Sequence, residues 1–135
     1  MHTLKAVIES TEKNYSAYIE NLDGVVATGR TIAEIKENLI SAVADFAESC
    51  KALKCELPDE LKDSDYIIEF KMDVKSLLCL YEGIFTKAGL ERITGINQKQ
   101  LWHYANGIST PRRAQVIKIE NALHRLGSEL LSVSL

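Results

Sequence analysis

The stretch Asn97-Gln98-Lys99-Gln100-Leu101-Trp102-His103-Tyr104 gathers amides, an ammonium, an imidazole and a phenol into one short run. Asn and Gln pair bidentately with an adenine edge, and Lys bonds guanine or phosphate. A helix turning these residues outward would therefore suit the groove of a duplex. Ser109-Thr110-Pro111-Arg112-Arg113 follows, placing two hydroxyls and two guanidiniums at the start of the next helix, where backbone N–H groups add phosphate donors. Lys118 and Arg125 extend the basic face. We expect base contacts from Asn97, Gln98, Gln100, His103 and Tyr104, and phosphate contacts from Lys99, Ser109, Thr110, Arg112, Arg113 and Lys118. The same residues also suit the solvated face of a plain helical packing unit. Tyr104 would equally cover the turn, His103 would equally be an exposed helix residue, and Trp102 is expected in the core or between helices.

Other chemistry is sparse. Asp23, Glu34, Glu37, Asp45 and Glu69 are spread over a turn, a helix and a strand, and only Glu34 and Glu37 share a helix face. A two-metal nuclease needs converging carboxylates, so no enzymatic activity is expected. Cys50, Cys55 and Cys79 are odd in number and scattered, which points to reduced thiols and not to a disulfide framework. His103 has no Cys or Asp partner at metal spacing, so no metal site and no cofactor is expected. The glycine-rich nucleotide loops, HExxH, CxxC and GxSxG motifs are absent from the sequence.

The elements that must position these residues fall into two groups. Thr3–Glu9, Tyr15–Glu20 and Val25–Thr28 alternate apolar and polar residues, as strands of an antiparallel meander do. Thr31 with Glu34 three residues later forms a capping-box pattern. It opens a helix whose stripe is Ile32, Ile35, Leu39, Val43, Phe46 and Ala47, running to about Cys50. Lys51–Asp65 is charged, contains Pro58 and reads as a connection that packs little; Tyr66–Met72 is a fourth strand. After Asp73 only helical segments remain, at Val74–Glu82, Thr86–Thr94, Gln98–Asn106 and about Arg112–Leu131. Thr110 is expected to cap the last of these, with Pro111 in its first turn. Leu90, Ile93, Ile96 and Leu101 would close a small core, and Val116, Ile119, Leu123, Leu126 and Leu130 form the inward stripe of the last helix. The expected fold class is α+β: a βββαβ domain at 1–72 and an all-α domain at 73–135. The short glycine-containing turn at 95–97 fits a helix-turn-helix.

Charge divides the same way. The whole chain of 135 residues carries −3, but residues 1–72 carry −6 and residues 73–135 carry +3. Only the rear half suits a polyanion. Hydrophobic content of 46% excludes wholesale disorder. No apolar run approaches the ~18 residues of a membrane span, and the start of the chain lacks signal-peptide character. A cytoplasmic protein without a membrane partner is expected.

Residues 85–127 resemble the Cro/CI-type (XRE) helix-turn-helix. Gly95-Ile96-Asn97-Gln98-Lys99-Gln100-Leu101-Trp102-His103-Tyr104-Ala105-Asn106-Gly107-Ile108-Ser109-Thr110-Pro111-Arg112 fills its order of turn, recognition helix, ANG loop and S/T-x-PR. The resemblance implies a lambda-repressor-like domain reading the major groove through Asn97, Gln98, Lys99, Gln100, His103 and Tyr104. Lys87-Ala88-Gly89-Leu90 stands where the family has a Gln-led helix opening. Residues 1–72 resemble the N-terminal domain of HicB-type antitoxins, with matches at Tyr18, Leu22, Gly24, Gly29, Thr31, Glu34, Asn38 and Ala42. The family's prolines are missing, and Ile35 replaces its usual alanine. This second resemblance implies a truncated ribonuclease-H-like fold and an antitoxin that neutralises a small HicA-type mRNA interferase and represses its own operon. The expected partners are operator DNA, that toxin, and a second copy of the chain in a homodimer or higher homo-oligomer. Leu130–Leu135 is a candidate dimer contact, or else a core-docked terminus. The other reading is a stand-alone transcriptional regulator whose front domain binds a different protein or a small ligand.

Overall fold

Leu4, Ala6 and Ile8 are buried while Thr3, Lys5 and Glu9 are exposed, so the alternation in the first strand resolves into one inward and one outward face. The computed structural model describes residues 2–11, 13–62 and 65–135. Among them it is a mixed α+β chain with a four-stranded sheet and six helices. Contacts divide it into two compact units, Met1–Asp73 and Val74–Leu135.

In the first unit β1 (His2–Ser10), β2 (Tyr15–Ile19) and β3 (Val26–Gly29) form the antiparallel meander, and β4 (Tyr66–Lys71) joins the sheet beyond β1. The order is β3-β2-β1-β4, and β4 runs parallel to β1 with Leu4 opposite Ile68. A parallel neighbour needs a long crossover, which α1 (Ile32–Ala52) supplies. Ile35, Leu39 and Val43 of α1 pack on Leu4, Ala6, Ile8, Ala17 and Ile19 in one core. Thr31 caps α1, its hydroxyl accepting from the Glu34 N–H at 3.1 Å, while the Glu34 carboxylate accepts from the Arg30 N–H at 3.4 Å. Asn38 donates to the Thr28 carbonyl at 2.7 Å and so ties α1 to β3. Gly29 lies directly beneath the helix; a Cβ there would stand 2.9 Å from Ile35 Cγ1.

The connection after α1 packs more than its charge suggests. It contains α2 (Asp59–Lys62), whose Leu61 is buried in the sheet core, with Leu57 packed beside it. Leu57 lies just before α2 and Leu61 within it, and both reach the core, which seats a charged segment on apolar ground. Asp63 and Ser64 of that connection lie outside the described residues.

The second unit holds α3 (Val74–Leu80), α4 (Lys87–Thr94), α5 (Gln98–Ala105) and α6 (Arg113–Leu131). Its core joins Val74, Leu78, Leu90, Ile96, Leu101, Tyr104 and Ile119, with Ile93, Val116 and Leu123 packed against it. The inward stripe of α6 fades towards its end: Leu126 is half-buried, and Leu130 is 60% exposed.

Candidate nucleic-acid interface

The turn between α4 and α5 is built from local hydrogen bonds. Thr94 is buried; its hydroxyl donates to the Leu90 carbonyl at 2.7 Å and accepts from the Ile96 N–H at 3.1 Å. Gly95 closes α4 at φ +78, a left-handed conformation that costs an L side chain. Ile96 drops into the core, and Asn97 caps α5 by accepting from the Gln100 N–H at 2.9 Å. At its far end α5 closes on the left-handed Gly107, with the Ile108 N–H on the His103 carbonyl at 2.9 Å and the Gly107 N–H on the Tyr104 carbonyl at 3.2 Å. That pairing of bonds is a Schellman closure.

Between the starts of α5 and α6 lies an open concavity of about 620 Å³, lined by Asn97, Gln100, Ser109, Thr110, Arg112 and Gln115 among others. Gln100 donates to the Ser109 hydroxyl at 3.2 Å across it. Two helix N-termini, with their partial positive charge, therefore open onto a single polar hollow beside a guanidinium. Gln98 sits to one side, its amide held by the Glu91 carboxylate of α4 at 2.9 Å. Asn97, Gln98, Lys99, Thr110, Arg112, Arg113 and Lys118 are exposed, and Gln100, His103 and Ser109 are half-buried.

Three expectations are corrected. Tyr104, expected as a base contact, is 4% exposed: it packs in the core and presents only a small surface to the hollow, which it helps to line. Trp102, expected inside, is 50% exposed on the outer face of α5. Leu101 fixes the inward direction, Tyr104 three positions on shares its face, and Trp102 is rotated by about 100° away from Leu101. The cap of α6 is Arg112 and not Thr110: the backbone stays extended through Arg112 (ψ 160), so Pro111 precedes the helix and no side chain caps it. Sequence reasoning also passed over Lys75 of α3, whose ammonium runs beside Gly107, where an added Cβ would stand 3.3 Å from Nζ. Trp102 carries only a partial local signal, standing four residues after Gln98 and three after Lys99. Lys75 lies on a different element and left no local signal.

Comparison with protein-family models, with curated proteins and with solved structures finds no match for this chain.

In the front unit Asp23 stands in the β2–β3 turn, Glu34, Glu37 and Asp45 on α1, and Glu69 on β4, all exposed. Among the described residues no three His, Cys, Asp or Glu side chains come together as a metal site would require. The three cysteines are free: Cys50 buried, Cys55 exposed and Cys79 half-buried with its thiol 3.4 Å from the Ala105 carbonyl. Burial pushes the Cys50 thiol up, and neighbouring Cys55 adds to the effect. No helix among the described residues is long and apolar enough to cross a membrane.

Proposed function

We propose that this chain is an antitoxin-type regulator. Its rear unit, a lambda-repressor-like helix-turn-helix, binds operator DNA, and its front unit, a truncated ribonuclease-H-like HicB domain, binds and occludes a small basic HicA-type ribonuclease. The observation that carries the DNA reading is the convergence of Asn97, Gln100 and Arg112 on one open hollow between two helix starts, with Lys99 and Arg113 exposed nearby. Amides at the start of an outward helix address base edges, and guanidiniums at the next helix address the flanking phosphate. Base contacts are assigned to Asn97, Gln98, Gln100 and His103. Phosphate contacts are assigned to Lys99, Ser109, Thr110, Arg112, Arg113 and Lys118, with Lys75 added.

The toxin reading is supported by charge and by the resemblance of residues 1–72. Glu34, Glu37, Asp45 and Glu48 are exposed along α1 in a half that carries −6. An acidic surface of this kind steers association with a basic RNA-binding protein. A dimer in the cytoplasm, presenting two recognition helices to half-sites about one helical turn apart, completes the proposal.

The deciding experiment is a salt-dependent shift assay on the DNA upstream of the chain's own gene, against a scrambled duplex of equal length. Tight, selective binding that weakens steeply with salt is expected. Absence of binding at low salt would overturn the DNA reading. Growth rescue on co-expression with a HicA-type toxin tests the front unit, and failure of rescue with stable expression would overturn the antitoxin reading.

A further inference from the structure

We propose that Trp102 is a specificity residue of the DNA surface, its indole packing on the 5-methyl group of a thymine in the major groove. This inference rests on the DNA-binding reading above and adds a base preference to it. Trp102 is 50% exposed, although the buried Leu101 and Tyr104 flank it in sequence. Its exposed neighbours on α5 are Gln98 and Lys99 one turn back and Asn106 one turn on. The indole thus stands on the exposed polar face of α5 that Gln98 and Lys99 share, outside the lining of the hollow, and is no stray edge of the core.

Local structure holds it there. The Trp102 carbonyl accepts from both the backbone N–H and the side-chain amide of Asn106, at 3.0 and 2.9 Å, which fixes the last turn of the helix. The His103 ring meets the indole edge-on, with centroids 5.7 Å apart and planes at 61°. Helix α5 carries no acidic residue, and Lys99, Arg112 and Arg113 are exposed on the same unit. That charge selects a polyanion over an apolar protein surface as the occupant. In the major groove the thymine methyl is the apolar feature that distinguishes bases, and contact with it rewards an apolar side chain where a polar one gains nothing. An indole offers a broad apolar face with a single N–H donor and no acceptor, so it favours thymine over cytosine at the position it covers.

Trp102 is the chain's one tryptophan, which gives the test a direct readout. A randomised duplex library is enriched with the wild-type chain, and each thymine of the best duplex is replaced in turn by deoxyuracil. Tryptophan emission should change on binding. Removal of a single methyl should weaken wild-type binding about fourfold, the worth of one buried methyl-sized group. In Trp102→Ala the same replacement should have no effect, and Trp102→Phe should keep part of it. Enrichment of a sequence with a flat deoxyuracil scan, or an equal loss in Trp102→Ala, would overturn this inference and leave the DNA reading standing. Failure to enrich any duplex would overturn both.

Discussion

The Gln98 amide of α5 donates to the Glu91 carboxylate of α4 across a 2.9 Å hydrogen bond. One N–H of the amide is thereby committed, leaving its other N–H and its carbonyl oxygen for a base. Those two atoms are what a bidentate contact with adenine requires. The carboxylate is also a negative charge at the edge of a surface proposed to meet phosphate. Glu91→Ala should therefore have two opposed effects. Overall affinity for duplex DNA should rise modestly as the repulsion is lost, while discrimination at the base read by Gln98 should fall by about 1 kcal/mol. Affinities measured on single-base variants of the bound duplex check both, and unchanged discrimination would show that Glu91 does not orient Gln98.

Arg112 and Arg113 mark the start of α6 and have a different expected signature. Removing both as Arg112→Ala with Arg113→Ala should weaken binding to every sequence and reduce the slope of log affinity against log salt by about two for each DNA-bound chain, one released counterion for each lost phosphate contact. Gln98→Ala should leave that slope alone and relax specificity. Slopes that stay equal in all three proteins would remove the arginines from the interface.

Two helix ends adopt the left-handed conformation with opposite residue choices. Gly95 has φ +78, and Lys54 has φ +56. At Lys54 the Cys55 N–H reaches the Cys50 carbonyl at 2.8 Å, closing α1 as Gly107 closes α5. Gly95→Ala should cost about 1–2 kcal/mol because a side chain is forced into that region, although the space around it is open. Lys54→Gly should stabilise by somewhat less, since the relieved strain is partly offset by a more flexible unfolded chain. Chemical denaturation of the two variants against the wild type measures both signs.

What the sequence revealed about the fold was what local rules govern. Strand alternation and the Thr31–Glu34 cap act within a few residues, and both stand in the structure where the pattern put them. The parallel pairing of β4 with β1 depends on how a 21-residue helix returns the chain, and no short window carries that. The exchange of Tyr104 and Trp102 has a narrower cause. Leu101 and Ala105 define a stripe that either aromatic residue could flank, and the choice is made when Ile96 and Leu90 dock on Leu101 and fix the rotation of α5. Leu57 and Leu61 stand four apart in the sequence, but the acidic residues between and around them hid the apolar pair.

The α2 segment gives a pH dependence with a definite sign. Lys62 lies 2.9 Å from the Asp59 carboxylate and 3.7 Å from Glu56. Its hydrogen bond and charge hold the Asp59 carboxyl below its ordinary value of 3.8. The same bond, with Asp59's charge and a smaller contribution from Glu56, holds the Lys62 ammonium above its ordinary 10.5. A carboxyl depressed by folding stabilises the folded state above its unfolded value and loses that contribution as pH falls through the lower folded value. The lysine contributes below its unfolded value and loses that contribution as pH rises through the higher folded one. Between these limits the pair is fully formed, and because both groups are exposed its worth is small. Asp59→Asn should therefore lower the melting temperature of the front unit slightly near neutral pH. The difference from wild type should close as the solution is acidified below the carboxylate range. A difference that persists unchanged at low pH would mean that Asp59 acts through the first-turn geometry of α2, by way of its side-chain shape and not its charge.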